Sequence, residues 1–417
     1  MYRKFVLDNG MRVVTERIPT LKSVTVGIWV NTGSRDELPR QAGYSHFIEH
    51  MFFKGTRSRT AVEISREIDG LGGEMNAFTT RETTTFYVKV LDQQLPRALE
   101  LLSDLFHHSQ FDPKELEKEK QVVLEEIRMV QDDPEDFVQE LHTGQVLGPH
   151  PLGSSILGKE DTIRRLRRQD LMEYIDAHYD PRRIVIAIAG NFNPQESYRL
   201  VSRYFGKRRL TNNSSELNRR PPDIHGGVLL KQKPLEQAHL CIGLKGIAAG
   251  HRDRYAVYAL NSILGGSVSS RLFQEVREKR GLVYSIYSFL SGYSDAGTMT
   301  VYAGTRAKEV DHVVDLVCRE IKRINSKGVE KNELVRAKNQ MKGSLMLSLE
   351  SSHSRMSKLA KDELIYGSRS TMKDIISHID RVTVEHVHDV GQRLLNMDRL
   401  AITGLGPIQS RALASYR

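Results

Sequence analysis

The feature that most constrains this chain is that its second half echoes its first. The stretch "FDPKELEKEKQVVLEEI" at 111 to 127 matches "VEKNELVRAKNQMKGSL" at 329 to 345, an offset of 218 that pairs Glu115 with Glu333, Leu116 with Leu334 and Lys120 with Lys338. Upstream, "ETTTFYVKV" (82 to 90) resembles "GTMTVYAGT" (297 to 305), and near the end of each half "RIVIAIAGNF" (183 to 192) resembles "DRLAITGLGP" (398 to 407). Three echoes in one order point to two copies of a fold of about 200 residues each. Between them, "GKRRLTNNSSELNRRPPDIHGG" (206 to 227) loses apolar periodicity and gathers Asn, Ser, Arg, Pro and Gly, the composition of a linker. The expected organisation is a first domain over 1–207, a linker over 208–224 and a homologous second domain over 225–417.

A chain of 417 residues exceeds one ordinary core, which agrees with two domains. Within each copy, helices such as 94–108 and 113–131 carry apolar residues at i, i+3 and i+4, while the strands read as half-buried. "RKFVLDNGMRVVTERI" reads as a hairpin built on Asn9-Gly10, with another strand following in "SVTVGIWVNTGS" (23 to 34). Adjacent strands of this kind favour an α+β fold in which each domain is a mainly antiparallel sheet with helices packed on it.

Composition removes several function classes. No run of 18 or more apolar residues exists, so no membrane span is expected, and the start shows neither a signal-peptide h-region nor a transit-peptide pattern. A cytoplasmic protein with no membrane partner is the expectation. Only Cys241 and Cys318 occur, far apart and within apolar-periodic segments, which argues for buried thiols and against a disulfide scaffold or a cysteine metal site. The net charge of +9 permits acidic partners, but the basic residues are interspersed with acidic ones apart from "RRLRR" (164 to 168) and "KRR" (207 to 209). Without a binding motif, that charge reads as a solvated surface rather than a nucleic-acid site.

Chemistry concentrates in "GYSHFIEHMFF" (43 to 53). As a helix, with Gly43 and Ser45 near its start and Gly55 beyond its end, the segment places His50 about 40° around from His46 and one turn on, with Glu49 on the same face. Two imidazoles so spaced can reach one ion, and a catalytic zinc takes three protein ligands while keeping a position open for water. A glutamate between the ligands is then a natural general base; the order H-x-x-E-H inverts the commoner H-E-x-x-H. The competing reading is an amphipathic helix in which Phe47, Ile48, Met51 and Phe52 pack inward. A third ligand decides between them. The helix 113–131, opened by Asp112 and Pro113, offers Glu119 and Glu126 on one face, about 10 Å apart along the axis, so one can ligate and the other can only support. Spacing alone leaves that choice open and leaves Glu125 eligible, whereas Glu115 and Glu117 read as solvated beside Lys114, Lys118 and Lys120.

The combination resembles the pitrilysin (inverzincin) family of zinc metallopeptidases, in particular the branch of mitochondrial processing peptidase and its bacterial relatives. The resemblance rests on "GYSHFIEHMFFKGT" (43 to 56), "GGEMNAFTTRETTTFY" (72 to 87), "EKEKQVVLEEI" (117 to 127), "HPLGSSILG" (150 to 158) and "SSRLFQEVREKRGLVYSIYS" (269 to 288), which span nearly the whole chain. It implies one Zn2+ per chain held by His46, His50 and Glu126, with Glu49 as general base and Glu119 supporting the site. It also implies that Arg277 and Tyr284 in the second half contact the bound peptide, and that the strand carrying Asn76, Ala77 and Phe78 pairs with substrate. At the repeat offset Ala337 and Ser344 stand where Glu119 and Glu126 are, so the second copy is expected to lack metal ligands and to serve as the other wall of a clamshell chamber. The implied activity is endopeptidase cleavage of peptides or unfolded segments by a homodimer. A non-catalytic structural or partner subunit of the same fold is the alternative.

Overall fold

In the computed structural model, which describes residues 1–207, 217–409 and 413, the described strands form two sheets whose orders repeat one another. The first contains β1 (Tyr2–Val6), β2 (Arg12–Arg17), β3 (Ser23–Val30), β4 (Glu74–Thr79), β5 (Thr84–Leu91) and β6 (Ile184–Gly190), ordered β1-β2-β6-β3-β5-β4. The second contains β7 (Gly227–Lys231), β8 (Ala238–Lys245), β9 (Val283–Gly292), β10 (Gly297–Thr305) and β11 (Ala401–Leu405), ordered β7-β11-β8-β10-β9. Without β1 the two orders coincide. In each, one pair is parallel, β2 with β6 and β7 with β11, and the remaining pairs are antiparallel. The duplicated, mainly antiparallel α+β architecture is therefore present; part of the expected linker, 208–216, lies outside the described residues.

The hairpin at Asn9-Gly10 forms, with Tyr2 opposite Glu16 and Val6 opposite Arg12. Gly10 takes φ +88°, a conformation that suits glycine, and the buried Asn9 side chain accepts from the Met11 N–H and donates to the Phe205 carbonyl. The meander does not continue into β3, because β6 inserts between β2 and β3. Every residue of β6, "IVIAIAG", is buried, which suits an interior strand covered on both faces.

That two-sided burial explains how the compact units are drawn. One unit comprises Met1–Ile127, Ser154–Arg219 and Leu347–Arg369; the other comprises Arg128–Gly153, Arg220–Met346 and Ser370–Arg417. They do not divide linearly at 207 and 225, because each sheet is covered on its second face by a helix from the other half of the sequence. On the first sheet, Met356, Leu359 and Ala360 of the helix Ser352–Lys361 pack against Trp29, Val185, Ala187 and Ala189. The Trp29 Nε1–H donates to Met356 Sδ at 3.1 Å, and a Cβ at Gly27 would lie 2.6 Å from that sulfur. On the second sheet, the helix Pro134–Leu147 places the buried His142 with Nδ1 2.8 Å from Thr403 Oγ1, and a Cβ at Gly243 would lie 2.2 Å from His142 Nε2. Cys241 and Cys318 are buried and are not joined in a disulfide.

Candidate metal centre

The segment 43–53 is helical over Tyr44–Met51. Phe47, Ile48 and Met51 are fully buried and Phe52 nearly so, its ring 4.5 Å from that of Phe86. The apolar residues anchor the helix to the first unit's core, and the polar ones project from the remaining face. The packed apolar face therefore forms, and it leaves His46, Glu49 and His50 on the other side of the helix.

The helix Pro113–Asp132 supplies the third group. Asp112 caps it, its Oδ1 accepting from the Lys114 and Glu115 N–H groups. Glu126 Oε2 lies 3.6 Å from His46 Nε2 and 3.5 Å from His50 Nε2, and the two Nε2 atoms are 3.3 Å apart. Ligand atoms of His46, His50 and Glu126 all fall within 4.8 Å of one another, and among the described residues this is the one group of His, Cys, Asp or Glu so arranged. Tetrahedral zinc with bonds of about 2.0–2.1 Å requires ligand atoms about 3.3 Å apart, so the triangle fits that ion closely. Glu126 Oε2 is buried without a hydrogen-bond partner, as is His46 Nδ1. Such a convergence of an unpaired carboxylate oxygen and two imidazole nitrogens is the chemistry of a His2Glu zinc site.

Glu119 stands apart from the triangle. The His50 Nδ1–H donates to Glu119 Oε2 at 2.9 Å, which turns the Nε2 lone pair toward Glu126, and Lys54 Nζ holds the other Glu119 oxygen at 2.5 Å. Glu125 is exposed and outside the group. Glu49 accepts from the Thr79 hydroxyl at 2.6 Å, linking the site helix to β4.

The electrostatics follow from crowding. Burial and the neighbouring charge of His50 push His46 down to about 4. Burial also disfavours a charged His50, but the hydrogen bond to Glu119 and the adjacent Glu126 carboxylate outweigh this and raise it to about 9. The His50 charge in turn holds Glu126 below the ordinary carboxylate range, and His50 and Lys54 hold Glu119 low despite its burial. Without metal, one imidazole is thus neutral and the other carries the proton that a divalent cation would displace. Burial raises Glu49, against the hydrogen bond from Thr79. Burial likewise pushes Glu37 up to about 8, against two backbone N–H donors.

The expected substrate strand, 75–80, is found as β4, Glu74–Thr79, at one edge of the first sheet with β5 as its partner. Asn76 is exposed, Ala77 buried and Phe78 intermediate. Arg277 and Tyr284 belong to the second unit, where the guanidinium lies 4.7 Å from the Phe273 ring centre and 6.0 Å from that of Tyr284, which is 81% exposed. At the repeat positions Ala337 is buried, and no metal-binding group forms there among the described residues. Thr79, Lys54 and Glu37 carry no signal in the sequence that marks them as part of the site. Thr79 lay within a quoted motif, but nothing in its spacing tied it to Glu49.

Among the described residues the first copy alone carries a His2Glu cluster, so fold and site together define a duplicated α+β protein with one candidate metal centre. Residues 12–160 match the family described as Insulinase (Peptidase family M16), and residues 165–341 match the Peptidase M16 inactive domain. The chain is 43% identical over 398 residues to a Bacillus subtilis protein named "Uncharacterized zinc protease YmxG", covering 95% of this chain and 97% of that one. It is 39% identical over 415 residues to an uncharacterized zinc protease of Streptomyces coelicolor, covering 98% and 90% respectively. The fold matches that of a protease from Helicobacter pylori with TM-score 0.88 at 22% identity, covering 98% of this chain and 99% of that one. It also matches a Pseudomonas fluorescens structure described as a peptidase M16 inactive domain, with TM-score 0.91 at 21% identity over 98% of each chain. The chain belongs to peptidase family M16, the insulinase or pitrilysin family.

Proposed function

We propose that this chain is a zinc-dependent endopeptidase that cleaves peptides or unfolded protein segments. The observation that carries the reading is the triangle of His46 Nε2, His50 Nε2 and Glu126 Oε2, with edges of 3.3, 3.5 and 3.6 Å, in which the helix that bears Glu49 supplies both histidines and the helix Pro113–Asp132 supplies the carboxylate. His46, His50 and Glu126 would hold one zinc per chain. When bound, the ion would supply a Lewis acid for the scissile carbonyl and lower the pKa of water.

The residues of the chain do the rest. Glu49, raised by burial and so made a stronger base, would take a proton from the attacking water and return it to the leaving amine. Thr79 fixes Glu49 Oε2, which leaves Oε1 for the proton. Glu119, backed by Lys54, holds His50 in the tautomer whose Nε2 faces the site. As the edge strand of its sheet, β4 at Asn76, Ala77 and Phe78 suits strand addition by an extended peptide, which would take over the Ala77 N–H from the Asn76 side chain and favours unfolded substrates. Arg277, half-buried, and the exposed Tyr284 beside it would donate hydrogen bonds to the peptide backbone or the developing oxyanion. The second copy, which matches the inactive domain and holds no such ligand group among the described residues, would contribute substrate contacts. On the family resemblance two copies would pair, and light scattering of the purified protein tests that.

Cleavage of a quenched peptide by wild type, with and without chelator, and by Glu49→Gln tests the activity. The reading expects Glu49→Gln to keep its zinc and lose about 10²- to 10⁴-fold in rate. A zinc-loaded Glu49→Gln that cleaves as fast as wild type contradicts it.

A further inference from the structure

The helix that carries His46, Glu49 and His50 spans the eight residues Tyr44–Met51 and follows Gly43, which has φ +95° and no side chain to cap the first turn. A helix of two turns leaves four N–H groups without intrahelical partners at its start. Two of them are satisfied from outside the helix. Glu37, 8% exposed, accepts from the Gly43 N–H through Oε2 and from the Ser45 N–H through Oε1, both at 2.7 Å. The Ser45 hydroxyl lies 2.9 Å from the buried Tyr174 hydroxyl. Glu37 lies six residues before Gly43, outside the spacing of an ordinary capping box, so it acts as a brace from a separate turn.

That turn is itself held. Asp36, the neighbour of Glu37, accepts from Arg219 at 2.9 and 2.7 Å, and Arg219 also donates to Asn31 Oδ1 at 3.0 Å and to the Glu82 carbonyl at 3.0 Å. Arg35 of the same turn is buried and paired with Glu82 at 2.6 Å. On the other side, the backbone of 157–158 lies against 42–43: a Cβ at Gly43 would be 2.7 Å from the Leu157 carbonyl oxygen, and one at Gly158 would be 2.2 Å from that of Ala42. The start of the helix is therefore fixed by a bidentate side chain and by a close backbone contact, three residues before the first histidine.

We propose that Glu37 is a positioning residue for the metal centre: by binding both the Gly43 and Ser45 N–H groups it sets where the short site helix starts, and so where His46 and His50 meet Glu126. The proposal rests on the zinc reading of those three residues. It does not make Glu37 a ligand or a catalytic group. Arg219, through Asp36, supports the turn that carries it.

The test is zinc affinity by competition with a chromophoric chelator, together with kcat and KM on a quenched peptide, for wild type and Glu37→Gln. An amide nitrogen accepts no hydrogen bond, so one of the two N–H groups loses its partner while side-chain size is kept. The expected result is zinc bound at least tenfold more weakly, with kcat lowered and KM unchanged in zinc-saturated protein. Arg219→Lys, which keeps the charge and loses the two-pronged contact to Asp36, is expected to move zinc affinity the same way by a smaller factor; it carries the test if Glu37→Gln does not fold. Zinc affinity within twofold of wild type for folded Glu37→Gln, or for Arg219→Lys where only that variant folds, overturns the proposal even if melting temperature falls. A wild type that binds no zinc overturns the reading of the site, and this proposal with it.

Discussion

At the residue scale, the two histidines and the intervening glutamate are legible in the sequence because helical periodicity alone puts them on one face. The third group is not: Glu119, Glu125 and Glu126 are equivalent to a spacing argument, and only the approach of the second helix separates an oxygen 3.5 Å from His50 Nε2 from one 2.9 Å from His50 Nδ1. The same approach gives the site its pH behaviour. His50, raised to about 9, is protonated below that pH in the metal-free chain, and a ligand must shed its proton to bind. Apparent zinc affinity should therefore rise with pH, by about tenfold per unit from pH 6 to 8 in a competition titration; a flat profile contradicts the assignment of His50. Glu49 has to be ionised to act as a base, and burial raises its pKa, so kcat/KM should fall as pH drops through a value above the ordinary glutamate range. Thr79→Val removes the hydrogen bond that favours the ionised form and should move that acidic limb to higher pH.

At the element scale, the helix 44–51 is held by what sequence periodicity reveals and by what it does not. Phe47, Ile48 and Met51 are the apolar face expected of an amphipathic segment, and all are fully buried. Phe47→Ala should cost about 3–5 kcal/mol in denaturant unfolding of the metal-free protein, since it empties a packed core position. The braces at the start of the helix come from residues 37 and 158, whose roles depend on chain segments that meet only in the fold. Gly158 illustrates this: it has φ +80°, and a Cβ there would strike the Ala42 backbone, which cannot yield as a side-chain tip can. Gly158→Ala should accordingly lower both thermal stability and zinc affinity, whereas an alanine at the unobstructed Gly343, inside the helix Lys331–Ser348, should lower neither and should raise stability slightly.

At the scale of the whole molecule, the duplication visible in three sequence echoes corresponds to two sheets of matching strand order. The exchange of helices is invisible to such echoes, because an apolar helix face does not record which sheet it will cover. Leu347–Arg369 joins the first unit and Arg128–Gly153 the second. Expression of 1–207 without the rest should therefore give a chain that binds a hydrophobic dye and aggregates, because the face bearing Trp29, Val185 and Ala187 loses the Met356 helix; a monomeric, cooperatively folding fragment contradicts the exchange. The asymmetry between the copies makes the central claim measurable. Zinc content per chain, measured on wild type and on Glu126→Gln after equilibration at limiting free zinc, is predicted to be one equivalent for wild type and well below one for the variant. Two equivalents in wild type, or an undiminished equivalent in Glu126→Gln, contradicts a single centre built from His46, His50 and Glu126.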